Sequence, residues 1–250
     1  MTQVAHTLLT TKVHFDESMV NEERETKPII IIKECDMFDY ALDEYKKGKR
    51  VSLHNFANNE SPGLFHISAA NGGHVFLTNT QEEQLLRSSL IHNKIFLPLD
   101  LYPICVNDDH SDNCALMTHD VSFTKDRRKG YTISGNKRYK ADVITCAAIK
   151  YPKINEAGEY VNKEEEELTL NKMILVLNMA KDSDVFLTGL WGCGAFYHPL
   201  KEVIRLWRKA INQCSHHPKE IVFCYYIDSF TNIRYKGEFS PKIMEQLLLN

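Results

Sequence analysis

The chain has 250 residues, of which 43% are hydrophobic, so it can form the core of one large α/β domain or of two small ones. No apolar run approaches the ~20 residues of a membrane span, and no signal pattern opens the sequence, so we expect a cytoplasmic or nuclear protein without a membrane partner. A net charge of −3 gives no general attraction to nucleic acid. The seven cysteines are scattered without a CxxC pair, which indicates reduced structural thiols and no metal site.

Strand and helix patterns alternate along the chain. Residues 1–25 are polar and aperiodic and predict an N-terminal arm. The strongest strand patterns lie at 29–32, 51–56, 121–123, 141–148, 185–187 and 220–227. Helical patterns lie at 37–45, 81–90, 164–180, 200–214 and 241–249. This alternation predicts one α/β domain over 26–238, with helices on both faces of its sheet, and a C-terminal helical tail over 239–250.

One stretch, 184–199, combines an apolar strand, a glycine-rich loop and a helix that begins near Pro199. The loop contains Gly189, Gly192 and Gly194. Glycines let a backbone approach a ligand closely, and a helix N-terminus offers unpaired N–H groups, so this unit is typical of an anion cradle, most often for phosphate. The alternative is a tight turn that packs Trp191 and Phe196 into a core.

A second motif, Gln81-Glu82-Glu83, follows a loop of more than twenty residues at 57–80. Thr80 and Glu83 have the spacing of a capping box, which is a purely structural interpretation. The functional interpretation is that two adjacent carboxylates border a ligand and that one of them is a general acid and base.

One local basic cluster lies at 125–129, followed by Lys137, Arg138 and Lys140. It predicts either a solvated hairpin or a phosphate contact.

Together these motifs resemble the poly(ADP-ribose) glycohydrolase family, a branch of the macrodomain fold. The resemblance rests on Asn55-Phe-Ala-Asn58, Gly72-Gly73, Gln81-Glu82-Glu83 and the segment 188–196, in that order. Ser88-Ser89, Leu101-Tyr-Pro103 and 142–148 look like the shorter microbial branch. The resemblance covers roughly 29–228 and implies a macrodomain-like, three-layer α/β/α fold with a mixed sheet.

The resemblance implies an enzyme that hydrolyses ribose–ribose bonds of poly(ADP-ribose), or ADP-ribosyl links on protein, and releases ADP-ribose without a cofactor or metal. Glu83 would be the catalytic acid and base, with Glu82 holding a ribose hydroxyl on the leaving side. Nucleic acid is expected only as an ADP-ribosylated substrate, and the protein is expected to be a monomer.

The implied ligand contacts are spread along the chain. Asn58 would hold the terminal ribose, Phe196 would pack on a ribose, and Tyr226 would stack on adenine, with Asp39 near it. The remaining residues implied to line the ADP-ribose site are Asn71, Gly72, Gly73, Gln81, Gly189, Gly192, Cys193, Gly194 and Ala195.

The sequence departs from the family at Asn71, where the family has a glycine, and the gap after Asn58 is longer. Alternatively, Ser61-Pro-Gly63 fills the family's Pro-Gly position and an insertion follows it. Two other functions stay open: an ADP-ribose-binding reader without turnover, and a hydrolase of mono-ADP-ribosyl links on protein or nucleic acid. The retained Glu82-Glu83 pair argues against the reader.

Overall fold

The computed structural model describes residues 9–21, 23, 26–63, 80–91, 96, 99–104, 113–225 and 240–249. Its strands are β1 Thr10–His14, β2 Ile29–Glu34, β3 Val51–Ala57, β4 Cys114–Phe123, β5 Lys125–Asp126, β6 Thr132–Ile133, β7 Tyr139–Ala147, β8 Val185–Thr188 and β9 Glu220–Tyr225. Its α-helices are α1 Met37–Lys46, α2 Gln81–Ser88, α3 Lys163–Met179, α4 Leu200–Gln213 and α5 Pro241–Leu249.

In the part of the chain that the structure describes, seven strands form a central sheet in the order β1-β4-β7-β3-β8-β9-β2. The strands from β7 to β2 are parallel, whereas β4 and β1 add antiparallel pairs at one edge. One apolar core joins the sheet to α1 and α2, and a second joins its other face to α3, α4 and α5. The α/β fold class, with a mixed sheet between two helical layers, is therefore confirmed.

Position in the sheet decides how deeply each apolar strand is buried. Six of the seven residues of β3, in the middle of the parallel strands, are buried, whereas every residue of β2 is at least partly exposed and Ile29 is 62% exposed. The expected strand at 29–32 is confirmed, but the expectation that it is buried is wrong, because among the described strands β2 lies at the edge of the sheet and pairs only with β9.

Both terminal segments, in their described parts, belong to the packed domain. β1 pairs with β4, and Phe15 and Met19 pack against one core, so the expected N-terminal arm is wrong for residues 9–21. α5 buries Met244 and Leu248 in the same core, and Ser240 Oγ caps it at 3.1 Å from Ile243 N, so the helix is not a separate tail. Among the described residues, no helix is long and apolar enough to cross a membrane.

Candidate functional site

The candidate site lies where β3 and β8 end. These strands are parallel neighbours, with Leu53 opposite Leu187, so the segments that follow them leave the sheet side by side. Open α/β sheets usually bind ligands at the carboxyl ends of their strands. The two motifs identified in the sequence both lie at this edge, because α2 is fastened to β3 and the glycine-rich loop follows β8.

Gln81 fastens α2 to the end of β3. Its Oε1 accepts a hydrogen bond from Phe56 N at 2.9 Å, and its Nε2 donates to the His54 carbonyl at 2.9 Å. Thr80 Oγ1 accepts from Glu83 N at 3.4 Å, so the predicted N-cap is confirmed. The cap and the functional interpretation are compatible, since the cap places both glutamates in the first helical turn. The ligand contact implied for Gln81 stays a prediction.

Glu82 is buried and surrounded by donors. Its Oε2 accepts from the N–H groups of Asn58 at 3.1 Å and Gly63 at 3.2 Å. Its Oε1 accepts from Tyr102 Oη at 3.1 Å and from Asn55 Nδ2 at 3.4 Å. Burial raises the pKa of Glu82 to about 7, while the four donors favour its ionised form. This carboxylate therefore joins α2 to the segment after β3 and to the turn at Tyr102.

Sequence reasoning assigned no role to Asn55 or Tyr102. Both lie inside the quoted motifs, and an asparagine within the apolar run of β3 was the available signal. Asn58 itself is buried, and its Oδ1 accepts from Glu60 N at 2.8 Å, which closes a local turn. Its implied contact with a ribose stays a prediction.

Glu83 is also buried, with a cation at its side. Arg87 Nη2 lies 3.9 Å from Glu83 Oε2, and Arg87 Nε donates to the Glu83 carbonyl at 3.3 Å. The Arg87 guanidinium lies 4.6 Å from the centre of the Tyr131 ring, a cation–π distance. The Arg87 guanidinium therefore contacts both the Glu83 carboxylate and the ring of Tyr131, which lies between β5 and β6.

The basic segment is bound to α1 and α2. Arg127 contacts the Gln84 side-chain oxygen and the carboxylate of Asp36, which is the N-cap of α1. Arg128 and Lys137 lie 2.5 and 3.2 Å from the Asp39 carboxylate. Three cations of the segment are thus paired within the protein.

Those ion pairs also bear on Asp39. The Asp39 carboxylate forms ion pairs with Arg128 and Lys137. Among the described residues, it makes no contact with Glu82 or with side chains of the glycine-rich loop. Its implied place near adenine stays a prediction.

The glycine-rich loop alternates between inward and outward residues. Trp191 and Cys193 are buried, and Trp191 Nε1 donates to the Cys146 carbonyl in β7 at 3.1 Å. The N–H of Cys193 donates to the Leu190 carbonyl at 3.1 Å. The core-packing alternative is therefore confirmed for Trp191. Cys193, implied to line the ligand, directs its thiol into the core and its N–H to another carbonyl.

The three glycines of this loop meet different surroundings. A Cβ on Gly189 would lie 2.5 Å from the Cys224 carbonyl oxygen, and one on Gly192 would lie 2.8 Å from the His198 ring. Gly192 also has a φ of +80°, which side chains disfavour. A Cβ on Gly194 would meet no atom within 4 Å. Gly194 therefore faces open space, whereas the other two are required by close packing.

The backbone after Gly194 offers donors. Within the described part of the chain, the N–H groups of Ala195 and Phe196 donate to no protein acceptor. α4 begins just beyond them at Leu200, and Pro199, its N-cap, provides no side-chain cap. Unpaired N–H groups beside a helix N-terminus can hold an anion.

The buried His198 holds the glycine-rich loop through hydrogen bonds. Its Nε2 lies 2.7 Å from the Ile149 carbonyl and must donate, so Nδ1 accepts from Tyr160 Oη at 2.7 Å. Burial lowers the pKa of His198 to about 4, which keeps the ring neutral near neutral pH. Its backbone N–H donates to the Gly192 carbonyl at 3.1 Å and closes the loop.

Some predicted site residues have no described position. Asn71, Gly72, Gly73 and Tyr226 lie outside the described residues. Among those that are described, no group of three or more His, Cys, Asp and Glu side chains is placed to hold a metal ion.

No family model matches this chain, and no curated protein matches it. Solved structures do. It is similar to poly(ADP-ribose) glycohydrolase from Thermomonospora curvata, with a TM-score of 0.70 and 18% identity over 95% of this chain and 85% of that chain. The complex of that enzyme with the inhibitor ADP-HPD gives a TM-score of 0.67 and 19% identity over 92% and 85%. The Deinococcus radiodurans enzyme in complex with ADP-ribose gives a TM-score of 0.66 and 15% identity over 96% of this chain and 94% of that chain.

These similarities show the fold. The chain has the fold of the bacterial poly(ADP-ribose) glycohydrolases, as the sequence resemblance to the microbial branch implied.

Proposed function

We propose that this chain is an ADP-ribose glycohydrolase that cleaves the ribose–ribose O-glycosidic bonds of poly(ADP-ribose) and releases ADP-ribose. One observation carries the proposal: the first turn of α2, with Glu82 and Glu83, and the outward backbone of the glycine-rich loop lie at the same edge of the sheet. Structures of the same fold hold ADP-ribose and ADP-HPD, which supports ADP-ribose as the ligand.

In the proposed reaction, Glu83 is the acid and then the base. The bond between the anomeric carbon and the bridging oxygen breaks, its electron pair leaves with the oxygen, and that oxygen takes the proton of Glu83. A water then bonds to the anomeric carbon and gives a proton to the Glu83 carboxylate, which restores the acid. The guanidinium of Arg87, 3.9 Å away, would stabilise this carboxylate between the two steps.

Glu82 has a different role in this proposal. Its oxygens already accept from four donors, so we assign it a positioning role, in place of the ribose contact implied by the resemblance. By holding the N–H groups of Asn58 and Gly63, it would fix the backbone that borders the ribose. The ligand's diphosphate would accept from the N–H groups of Ala195 and Phe196.

The test is release of free ADP-ribose from poly(ADP-ribosyl)ated protein by the wild type and by Glu83→Gln, with ADP-ribose affinity measured by calorimetry on both. We expect release by the wild type alone and binding by both. Binding by both with release by neither would indicate a reader. Release only from mono-ADP-ribosylated protein or nucleic acid would move the activity to those links, and absence of binding would contradict an ADP-ribose site.

A further inference from the structure

Two tyrosines form an exposed aromatic surface at the rim of the glycine-rich loop. Tyr151 and Tyr197 are 66% and 56% exposed, and their ring centres lie 5.6 Å apart at an interplanar angle of 46°. Tyr151 N donates to the Phe196 carbonyl at 3.0 Å, which places the pair beside the N–H groups proposed to bind diphosphate. We call Tyr151 and Tyr197 the tyrosine platform.

Both platform residues have left-handed backbone conformations, with φ of 54° at Tyr151 and 65° at Tyr197. For residues of this size such a conformation is unfavourable and uncommon. Burial of the rings does not hold it, because both rings are mostly in solvent, whereas the N–H groups of both tyrosines donate to carbonyls of the glycine-rich loop. Backbone strain of this kind is concentrated at sites that clamp ligands.

A cation that is paired with a carboxylate also lies beside the platform. Lys150 precedes Tyr151, and its Nζ lies 2.5 Å from the Glu60 carboxylate and 5.9 Å from the centre of the Phe196 ring. An ammonium group thus lies between the segment after β3 and the loop, next to the platform. An aromatic surface with a nearby cation can bind a planar base joined to phosphate.

We infer that the tyrosine platform stacks on the adenine of a second ADP-ribose unit, covalently joined to the unit held by the glycine-rich loop. This inference rests on the proposed function and adds a preference for polymer over the single nucleotide. The polymer supplies both complementary features, because each of its units carries one adenine and one diphosphate.

The experiment compares affinities for ADP-ribose and for a purified short poly(ADP-ribose) oligomer, in a Glu83→Gln background that prevents turnover. In that parent we expect tighter binding of the oligomer. Replacing both platform tyrosines with serine should weaken oligomer binding about tenfold, within the range for loss of one stacked base, and leave ADP-ribose affinity unchanged. Replacing both with phenylalanine keeps the rings and should keep oligomer affinity.

The outcomes are separable. Unchanged oligomer binding by the double serine variant, or equal losses for both ligands, would overturn the inference and leave the proposed function standing. A loss in the double phenylalanine variant equal to that in the serine variant would also overturn stacking. The parent could bind ADP-ribose joined to an oligonucleotide more tightly than free ADP-ribose, and yet bind the ADP-ribose oligomer no more tightly. That result would overturn the inference and assign the platform to nucleic acid instead. If the parent binds no ligand, the inference and the proposed function both fail.

Discussion

The two halves of the candidate site are built from different interactions. On the α2 side, side chains hold one another: Glu82 accepts four hydrogen bonds, and Glu83 lies beside Arg87. On the loop side, backbone hydrogen bonds and the buried Trp191 hold the shape, and the outward-facing residues Gly194 and Ala195 are small.

The difference indicates how each half responds to change. Charge and proton binding control the α2 side, because its contacts run between titratable and polar side chains. Added volume should control the loop side, because there the backbone itself is the proposed binding surface. Substitutions that keep volume and remove charge should affect the α2 side. Substitutions that add volume without changing charge should affect the loop side.

The largest effect expected is on turnover. Glu83→Gln should lower kcat by about 10²- to 10⁴-fold, which is the usual contribution of a general acid–base group to the rate. It should leave stability almost unchanged, because glutamine also suits this position of a helix cap. Steady-state kinetics on poly(ADP-ribose) and urea unfolding would measure both effects.

The adjacent Glu82→Gln is the matched control. Its amide NH₂ group would face groups that are themselves donors, so we expect a loss of roughly 1–3 kcal/mol of unfolding free energy. If instead Glu83→Gln unfolds the protein and activity per folded molecule is unchanged, the assignment of the two glutamates is wrong.

On the loop side, Gly194→Val and Gly192→Val should separate binding from folding. Gly194 faces open space, so its valine variant should fold normally and lose at least about tenfold in ADP-ribose affinity, or ~1.4 kcal/mol. Gly192→Val would press on the His198 ring at a positive φ and should cost about 3 kcal/mol of stability. Calorimetry and thermal unfolding distinguish them. Unchanged affinity in the folded Gly194→Val protein would remove this loop from the site.

Stability should also depend on pH in opposite directions for different buried groups. Burial lowers the pKa of His54 to about 3 and of His198 to about 4, from 6.5. Their contribution is present above pH 6.5 and is lost as the pH falls, by roughly 2 kcal/mol each between pH 7 and pH 5. The raised pKa of Glu82 acts in the opposite sense, because its contribution is present below pH 4.5 and is lost as the pH rises through about 7.

Urea unfolding at pH 7 and pH 5 therefore tests all three groups. The wild type should lose stability on acidification, and Glu82→Gln should lose more, because that variant lacks the opposing contribution. An equal loss in the two proteins would show that Glu82 does not bind a proton in this range.

Local signals in the sequence were enough to predict the elements that carry the candidate site. Glycines, Pro199 and an apolar run identified the β8–loop–α4 unit, and Thr80 identified the start of α2. The pairing of β1 with β4 left no such signal, because Thr10 lies opposite Thr118, far along the chain, and edge pairing relies on backbone groups. The inward thiol of Cys193 was also missed, because its glycine neighbours indicate closeness to a ligand without indicating direction.

The ion-pair and hydrogen-bond partners of the basic segment also lie far from it along the chain, so local sequence signals did not reveal them. These contacts predict a smaller effect on the α2 side. Arg127 joins Gln84 of α2 to Asp36 of α1 through two arms of its guanidinium. Arg127→Met should cost about 1–3 kcal/mol of stability. By loosening α2 it should also lower kcat several-fold without changing KM, whereas Arg127→Lys should restore part of kcat. Unchanged kcat in folded Arg127→Met would restrict the hairpin to a structural role.

The smallest effect expected reverses a familiar rule. In most positions alanine is more favourable than glycine, but Tyr197 has a φ of 65°, where glycine alone avoids a steric penalty. Tyr197→Gly should therefore be more stable than Tyr197→Ala by about 1 kcal/mol in thermal or urea unfolding. Both variants should weaken oligomer binding equally, because both remove the ring. If the alanine variant proves the more stable, Tyr197 is not strained in solution, and backbone strain does not mark the tyrosine platform as a ligand site.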